Sequence, residues 1–152
     1  MSAENKVLLR REGAVAIVTL NRPDQRNAID AETSAGLRAA FDEFERDPAL
    51  RVAVLTGSGP VFCAGMDLKA FVSGEAEAIL FGPGRLGGFV SRRRSKPVIA
   101  AIQGPALAGG FELMLACDMA VAVRTATFGL PEARRGLVAG AGGAFRIAQL
   151  LP

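Results

Sequence analysis

PVIAAIQGPALAGGFELMLACD, residues 97–118, decides the architecture of this chain. Pro97 to Ile102 is a short apolar run rich in β-branched residues, the length and composition of a buried strand. Gln103-Gly104-Pro105 breaks that run. Gly109 and Gly110 then open a short apolar helix reaching Cys117. A strand that passes to a buried helix through glycines is a repeating unit of α/β proteins.

The pattern continues outward on both sides. Downstream, Asp118 to Val123 reads as a strand, Ala126 to Phe128 as extended chain before Pro131, and Gly142 to Leu150 as a final helix. Upstream, Val52 to Thr56 is a short buried strand closed by the turn Gly57-Ser58-Gly59-Pro60. Between these, Ala76 to Arg94 has helical stretches interrupted by Gly82-Pro83-Gly84. At the N-terminus, Lys6 to Arg10 and Ala14 to Leu20 form a hairpin around Glu12-Gly13. Pro23 cannot donate to a ladder, so the second strand ends before it. Asp30 is placed to cap a helix in which Leu37, Ala40, Phe41 and Phe44 recur at i, i+3, i+4 and i+7. Asp47-Pro48 ends it. The fold class is α/β, a single domain over residues 1–152, without a repeat or an internal linker.

Composition narrows the chemistry. Half of the 152 residues are hydrophobic and 22% are charged, the balance of a soluble globular domain. No apolar run is long enough to span a bilayer, and the first residues carry no signal core, so a cytoplasmic protein is expected. The net charge of +3 suits attraction of a polyanionic small molecule and is too small to argue for nucleic acid. The chain has no His, which excludes Ser-His-Asp and Cys-His triads and disfavours most zinc sites; no metal is expected. Acid–base work near neutral pH falls to carboxylates, Lys, Cys or backbone dipoles. Cys63 and Cys117 stand in apolar contexts and read as reduced packing residues.

Two acids stand out. Glu112 lies among Phe111, Leu113, Met114 and Leu115, where desolvation favours its protonated form while a helix N-terminus favours the anion. A carboxyl held between these effects suits proton transfer; the alternative is a Glu facing solvent or a partner Arg. Glu132 follows Pro131 on a stiff turn; the alternative is a surface Glu in a local ion pair with Arg134 or Arg135. The spacing of 20 residues does not by itself bring the two together. Two glycine-rich turns, residues 57–71 and 103–118, enter helices and can each aim a free N–H at one oxygen, as an oxyanion hole requires; the alternative is tight turns chosen for packing.

The segments FCAGMDLK (62–69), PVIAAIQGPALAGGFELMLACD (97–118) and FGLPEARRGLVAGAGG (128–143), together with VAIVTLNRPDQRNAID (15–30), resemble the enoyl-CoA hydratase/isomerase, or crotonase, superfamily, in the family's order over nearly the whole chain. The resemblance implies a crotonase-like spiral of β-β-α units. It implies an oxyanion hole from the N–H groups of Met66 and Gly109, and it matches Glu112 and Glu132 to the two catalytic carboxylates of the hydratase branch. One would activate water for attack at Cβ and the other would deliver a proton to Cα, with the assignment left open. Arg26, Ala28, Ala64, Asp67, Leu68 and Lys69 match the wall that binds coenzyme A, with Asp67 to Lys69 near the adenine end. The implied activity is hydration of a 2-enoyl-CoA thioester, or the reverse dehydration, in fatty acid metabolism. Isomerisation, cleavage or a non-catalytic CoA-binding role are the alternatives. Coenzyme A enters as part of the substrate, so no separate cofactor is expected. The expected partners are the acyl-CoA and further copies of the chain, as a trimer or a dimer of trimers, with neither nucleic acid nor membrane.

Three positions depart from the usual pattern: Ala108 where many hydratases have a third Gly, Ala139 where many have Pro, and Met66 in place of the usual Ala. The chain ends at Leu151-Pro152, where the family normally continues into further helices, so the C-terminal helical part is expected to be missing. Two other signals are set aside. Gly82 to Gly87 fits GxGxxG but has neither the strand before it nor the acid after it that a dinucleotide site needs. Arg92-Arg93-Arg94 with Lys96 reads as a solvated helix end rather than a polyanion patch.

Overall fold

The structure, a computed structural model, describes residues 5–150. Residues 1–4 and 151–152 lie outside them, and with them the readings of the first residues and of the chain's end. The main sheet has five strands in the order β1-β2-β3-β4-β6. Strand β1 (Val7–Glu12) pairs antiparallel with β2 (Val15–Leu20). Strands β3 (Val52–Gly57), β4 (Val98–Ile102) and β6 (Met119–Ala122) then add in parallel. On β2, β3 and β4 the inward residues alternate with partly exposed ones, burying Ala16, Val18 and Leu20, then Ala53 and Leu55, then Val98, Ala100 and Ile102.

Helix α1 (Ala31–Arg46) crosses from β2 to β3. It starts where expected, because Asp30 Oδ1 accepts the Thr33 amide at 2.8 Å. Its apolar stripe of Leu37, Ala40, Phe41 and Phe44 is buried in the core, where Phe89 packs 4.6 Å from Phe41 between ring centroids. Burying such side chains contributes roughly 1.5–3 kcal/mol each, as an upper bound.

After each parallel strand the chain makes a second, shorter pairing. Ile29 bridges Met66, Cys63 bridges Ala106, and β5 (Ala106–Leu107) pairs with β7 (Phe128–Gly129), all parallel. Each turn of the spiral thus gives one long strand to the main sheet and one short segment to a second layer, and a helix or helical turn follows. These followers are α1, then α2 (a single turn, Leu68–Ala70), α3 (Gly109–Leu115) and a 3₁₀ turn at Pro131–Arg135. Helix α4 (Gly143–Leu150) closes the described chain. This is the β-β-α spiral that the resemblance implies.

Several local expectations are revised. The hairpin turns at Gly13-Ala14, with Gly13 at φ +57°, and its first strand runs on to Glu12. The ambiguous stretch resolves into wide π-helical turns at Phe71–Glu75 and Glu77–Phe81, then a short turn at Leu86–Gly88. No α-helix opens within Gly82 to Gly87, where only the 3₁₀ turn at Leu86–Gly88 begins. Arg92 to Lys96 is not a solvated helix end. It is an irregular segment whose charges anchor it internally. Arg92 pairs with Asp42, Arg94 donates to the Ala116 carbonyl at 2.7 Å, and Lys96 donates to the Phe44 and Asp47 carbonyls at 2.7 and 2.6 Å. Lys96 thereby satisfies carbonyls that α1 leaves free at its C-terminus.

Candidate active site

The parallel strands β2, β3, β4 and β6 all run into the same side of the molecule, and the segments after their C-terminal ends enclose one cleft of about 950 Å³. Arg26, Ala28, Ala64, Met66, Asp67, Leu68, Lys69, Gly109, Glu112 and Glu132 all line it. Residues separated by up to 106 positions in sequence therefore converge on one space.

Its centre is built by close approach of two backbones. A Cβ on Gly65 would stand 2.8 Å from the Gly109 nitrogen, and one on Gly109 would stand 3.5 Å from the Met66 nitrogen. Only glycines allow this contact, and Gly65 also sits at φ +93°. The Ile29–Met66 bridge uses the Gly65 carbonyl and the Asp67 amide, and the Met66 N–H has no partner among the described residues. The Gly109 N–H opens α3, so it has no acceptor within the helix, and it has no other backbone partner among the described residues. The loops thus bring two backbone donors side by side at the cleft.

Ala108 precedes Gly109 at φ +50°, ψ −128°. That region favours glycine, so the alanine is strained by roughly 1–3 kcal/mol. It is held there on both sides: its amide donates to the Gly129 carbonyl at 2.9 Å and its carbonyl accepts the Glu112 amide at 3.0 Å.

Glu112 is 3% exposed. Its Oε1 accepts the amides of Ala141 and Gly143, both at 2.8 Å, and Oε2 takes no partner among the described residues. Burial pushes this carboxyl above the usual glutamate value. The two amides oppose that shift, the nearby Glu132 charge adds to it, and Arg146 offsets part of it. Glu132 sits half-buried in the Pro131–Arg135 turn with Oε2 enclosed and unpartnered. Neither of its neighbours Arg134 and Arg135 holds it in an ion pair, so the local-pair alternative does not describe it among these residues.

Asp67 is tied into the scaffold. Its Oδ1 accepts the Lys69 and Ala70 amides, and its Oδ2 meets Arg22 at 3.1 Å. The sequence reading missed two supporting residues, Asn27 and Gln103. Buried Asn27 accepts the Arg22 amide at 2.9 Å and donates to the Ser58 and Val61 carbonyls at 2.9 and 2.8 Å. Gln103 donates to the Gly57 and Val61 carbonyls at 2.8 and 3.0 Å. Together they fasten the loop before Cys63 to its neighbours. The signal for Asn27 was its place just after Pro23-Asp24, where Asn tolerates the left-handed conformation it adopts at φ +54°. Cys63 and Cys117 are free thiols whose burial raises each to about 12, so neither is a thiolate at neutral pH.

No helix among the described residues is long and apolar enough to cross a membrane, and no cluster of three potential metal-binding side chains occurs among them.

A spiral of β-β-α turns around one cleft is the framework of an identifiable class, and comparison with known proteins names it. The profile of the enoyl-CoA hydratase/isomerase family matches residues 10–152, and the chain belongs to that family. A curated carnitinyl-CoA dehydratase of Salmonella paratyphi B is 49% identical over 146 residues, covering 95% of this chain and 56% of the relative. The crystal structure of an enoyl-CoA hydratase from Mycobacterium tuberculosis superposes with a TM-score of 0.92 at 50% identity, covering 98% of this chain and 58% of that one. That of a carnitinyl-CoA hydratase from Mycobacterium avium gives a TM-score of 0.92 at 45% identity, covering 99% and 58%. The chain therefore spans a little over half the length of the relatives it matches.

Proposed function

We propose that this chain carries the catalytic centre of a hydro-lyase that adds water to a 2-enoyl-CoA thioester, giving a 3-hydroxyacyl-CoA, or that removes it in reverse. The observation that carries the reading is the meeting, in one cleft, of the free Met66 and Gly109 amides with Glu112 and Glu132. In this reading the two amides hold the thioester oxygen and take up the charge that grows on it as the enolate forms. One such donor is worth about 2.7–4 kcal/mol in other enzymes. Hydroxide from the attacking water goes to Cβ and a proton to Cα, with one carboxylate accepting the water's proton and the other supplying the proton to carbon. Glu112, buried and raised above the ordinary glutamate value, stands in a different environment from the partly exposed Glu132, and carboxyls in unlike environments suit different roles.

The names of the relatives support both directions of this reaction, as dehydratase and as hydratase. By the same resemblance, coenzyme A would lie along Arg26, Ala28, Ala64 and Asp67 to Lys69, arriving as part of the substrate and without a separate cofactor. A cytoplasmic homo-oligomer, a trimer or a dimer of trimers, completes the reading.

The test is the ultraviolet band of the conjugated thioester in crotonyl-CoA. Its loss on mixing with the protein, and its persistence with Glu132→Gln, is the expected result. Loss at an undiminished rate with Glu132→Gln overturns the two-carboxylate mechanism. Binding without loss points instead to another enolate reaction at the same cleft.

A further inference from the structure

The cleft carries cations beyond those that the coenzyme A reading uses, on segments that adjoin Leu86 and Glu132 in the chain. Arg26 and Lys69 belong to the wall formed where Ala64 hydrogen-bonds to Arg26 and Ile29 bridges Met66. Arg85 and Arg135 belong to other segments. Arg85 adjoins Leu86, whose Cδ2 lies 2.7 Å from where a Cβ on Gly109 would stand. Arg135 is three residues beyond Glu132 in the same 3₁₀ turn. Both line the cleft, and neither has an ion-pair partner or a side-chain hydrogen bond among the described residues.

The same cleft is lined by the apolar side chains of Leu80, Phe81, Leu137 and Val138. A guanidinium without an acid partner against such a wall favours an anionic ligand and repels a cationic one. Recognition of a quaternary ammonium would call for an aromatic box or a dedicated carboxylate. The chain has neither Trp nor Tyr. The Phe81 ring already faces the Arg85 guanidinium, 5.8 Å from its centroid. Glu112 turns one oxygen to the Ala141 and Gly143 amides.

We propose that the acyl side of this cleft selects a chain ending in a carboxylate, with Arg135 as the principal specificity residue and Arg85 adding to the positive field. The inference rests on the acyl-CoA reading above, and it departs from the cationic acyl group that a carnitinyl thioester carries.

The test uses binding of three saturated thioesters, so that it does not depend on turnover: glutaryl-CoA with a terminal carboxylate, butyryl-CoA with a neutral end, and γ-butyrobetainyl-CoA with a quaternary ammonium. Titration calorimetry should give glutaryl-CoA the tightest binding, about tenfold tighter than butyryl-CoA, with γ-butyrobetainyl-CoA the weakest. Arg135→Leu should reduce the glutaryl-to-butyryl ratio at least about fivefold, and Arg135→Lys should retain most of it. A ratio near one in the wild type, or tightest binding of the quaternary ammonium, overturns the inference and leaves the acyl-CoA reading standing. Equal weakening of all three by Arg135→Leu also overturns it, since Arg135 would then serve the coenzyme's phosphates. Failure of all three to bind, in protein of verified fold, overturns the acyl-CoA reading itself and this inference with it.

Discussion

Gly143 donates its amide to Glu112 Oε1 at 2.8 Å, and a Cβ on Gly143 would stand only 2.8 Å from Glu112 Cγ and 3.1 Å from that same oxygen. The start of α4 therefore rests directly on the buried carboxyl of α3. Gly143→Ala must push the carboxylate or separate the two helices. Overpacking of this kind costs about 1–3 kcal/mol, so the expected result is a lower urea midpoint together with a lower kcat on crotonyl-CoA. Unchanged values of both would show that the carboxyl has room to move.

Glu112→Gln separates charge from shape. The amide oxygen can accept the same two N–H groups, so the fold should survive, while turnover should fall about 10²–10⁴-fold with the loss of one proton-transfer group. The pH dependence has a defined sign. Because burial raises the Glu112 carboxyl in the folded state, the folded protein holds this proton more tightly than the unfolded chain. The resulting stabilisation is complete below the ordinary glutamate value and is lost as pH rises through the raised one. Thermal melts should therefore show Glu112→Gln gaining on the wild type as pH rises through that window. A constant difference across it would mean that the carboxyl is not perturbed.

Asn27 is a matter of stability rather than chemistry. It is 1% exposed and makes three hydrogen bonds to backbone atoms. Asn27→Ala leaves the Arg22 amide and the Ser58 carbonyl unpaired, while the Val61 carbonyl keeps its bond from Gln103, and it places Ala at φ +54°. The expected loss is about 2–4 kcal/mol, the larger part from desolvated groups left without partners. Denaturant unfolding reads it directly, and a loss below about 1 kcal/mol would mean that water replaces the side chain.

Much of this fold was legible because its signals are local. The alternation in Val15–Leu20, the stripe of Leu37, Phe41 and Phe44, and the cap at Asp30 each follow from residues within a few positions. The segments that carry the site were legible too, since Gly65 and Gly109 mark where backbones come close. What was not legible is the second layer. Ala106–Leu107 and the bridges at Ile29 and Cys63 involve one or two residues each, too short to show any periodicity, and they exist only because the main sheet brings their flanks together. Lys96 was misread for the same reason, because its acceptors at Phe44 and Asp47 are about 50 positions away. The pairing of Glu112 with the Ala141 and Gly143 amides was likewise beyond any local pattern.

Ala108 offers a test of whether the strain beside the paired amides is carried at a cost. Its φ of +50° with ψ −128° crowds the Cβ against its own backbone, whereas glycine adopts that conformation freely. Glycine also has the greater entropy to lose on folding, about 0.5–1 kcal/mol relative to alanine. The strain, roughly 1–3 kcal/mol, is the larger effect. Ala108→Gly should therefore stabilise the protein by about 1 kcal/mol, which for a domain of this size raises Tm by about 2–5 °C. The hydrogen bonds from the Ala108 amide to Gly129 and from the Glu112 amide to the Ala108 carbonyl use backbone atoms, so they persist in the variant. If those bonds alone fix the direction of the Gly109 N–H, crotonyl-CoA turnover will stay within about twofold while Tm rises. A rise in Tm with a large loss of kcat would instead show that the alanine Cβ stiffens the turn and holds the two amides in line. A fall in Tm would refute the assignment of strain.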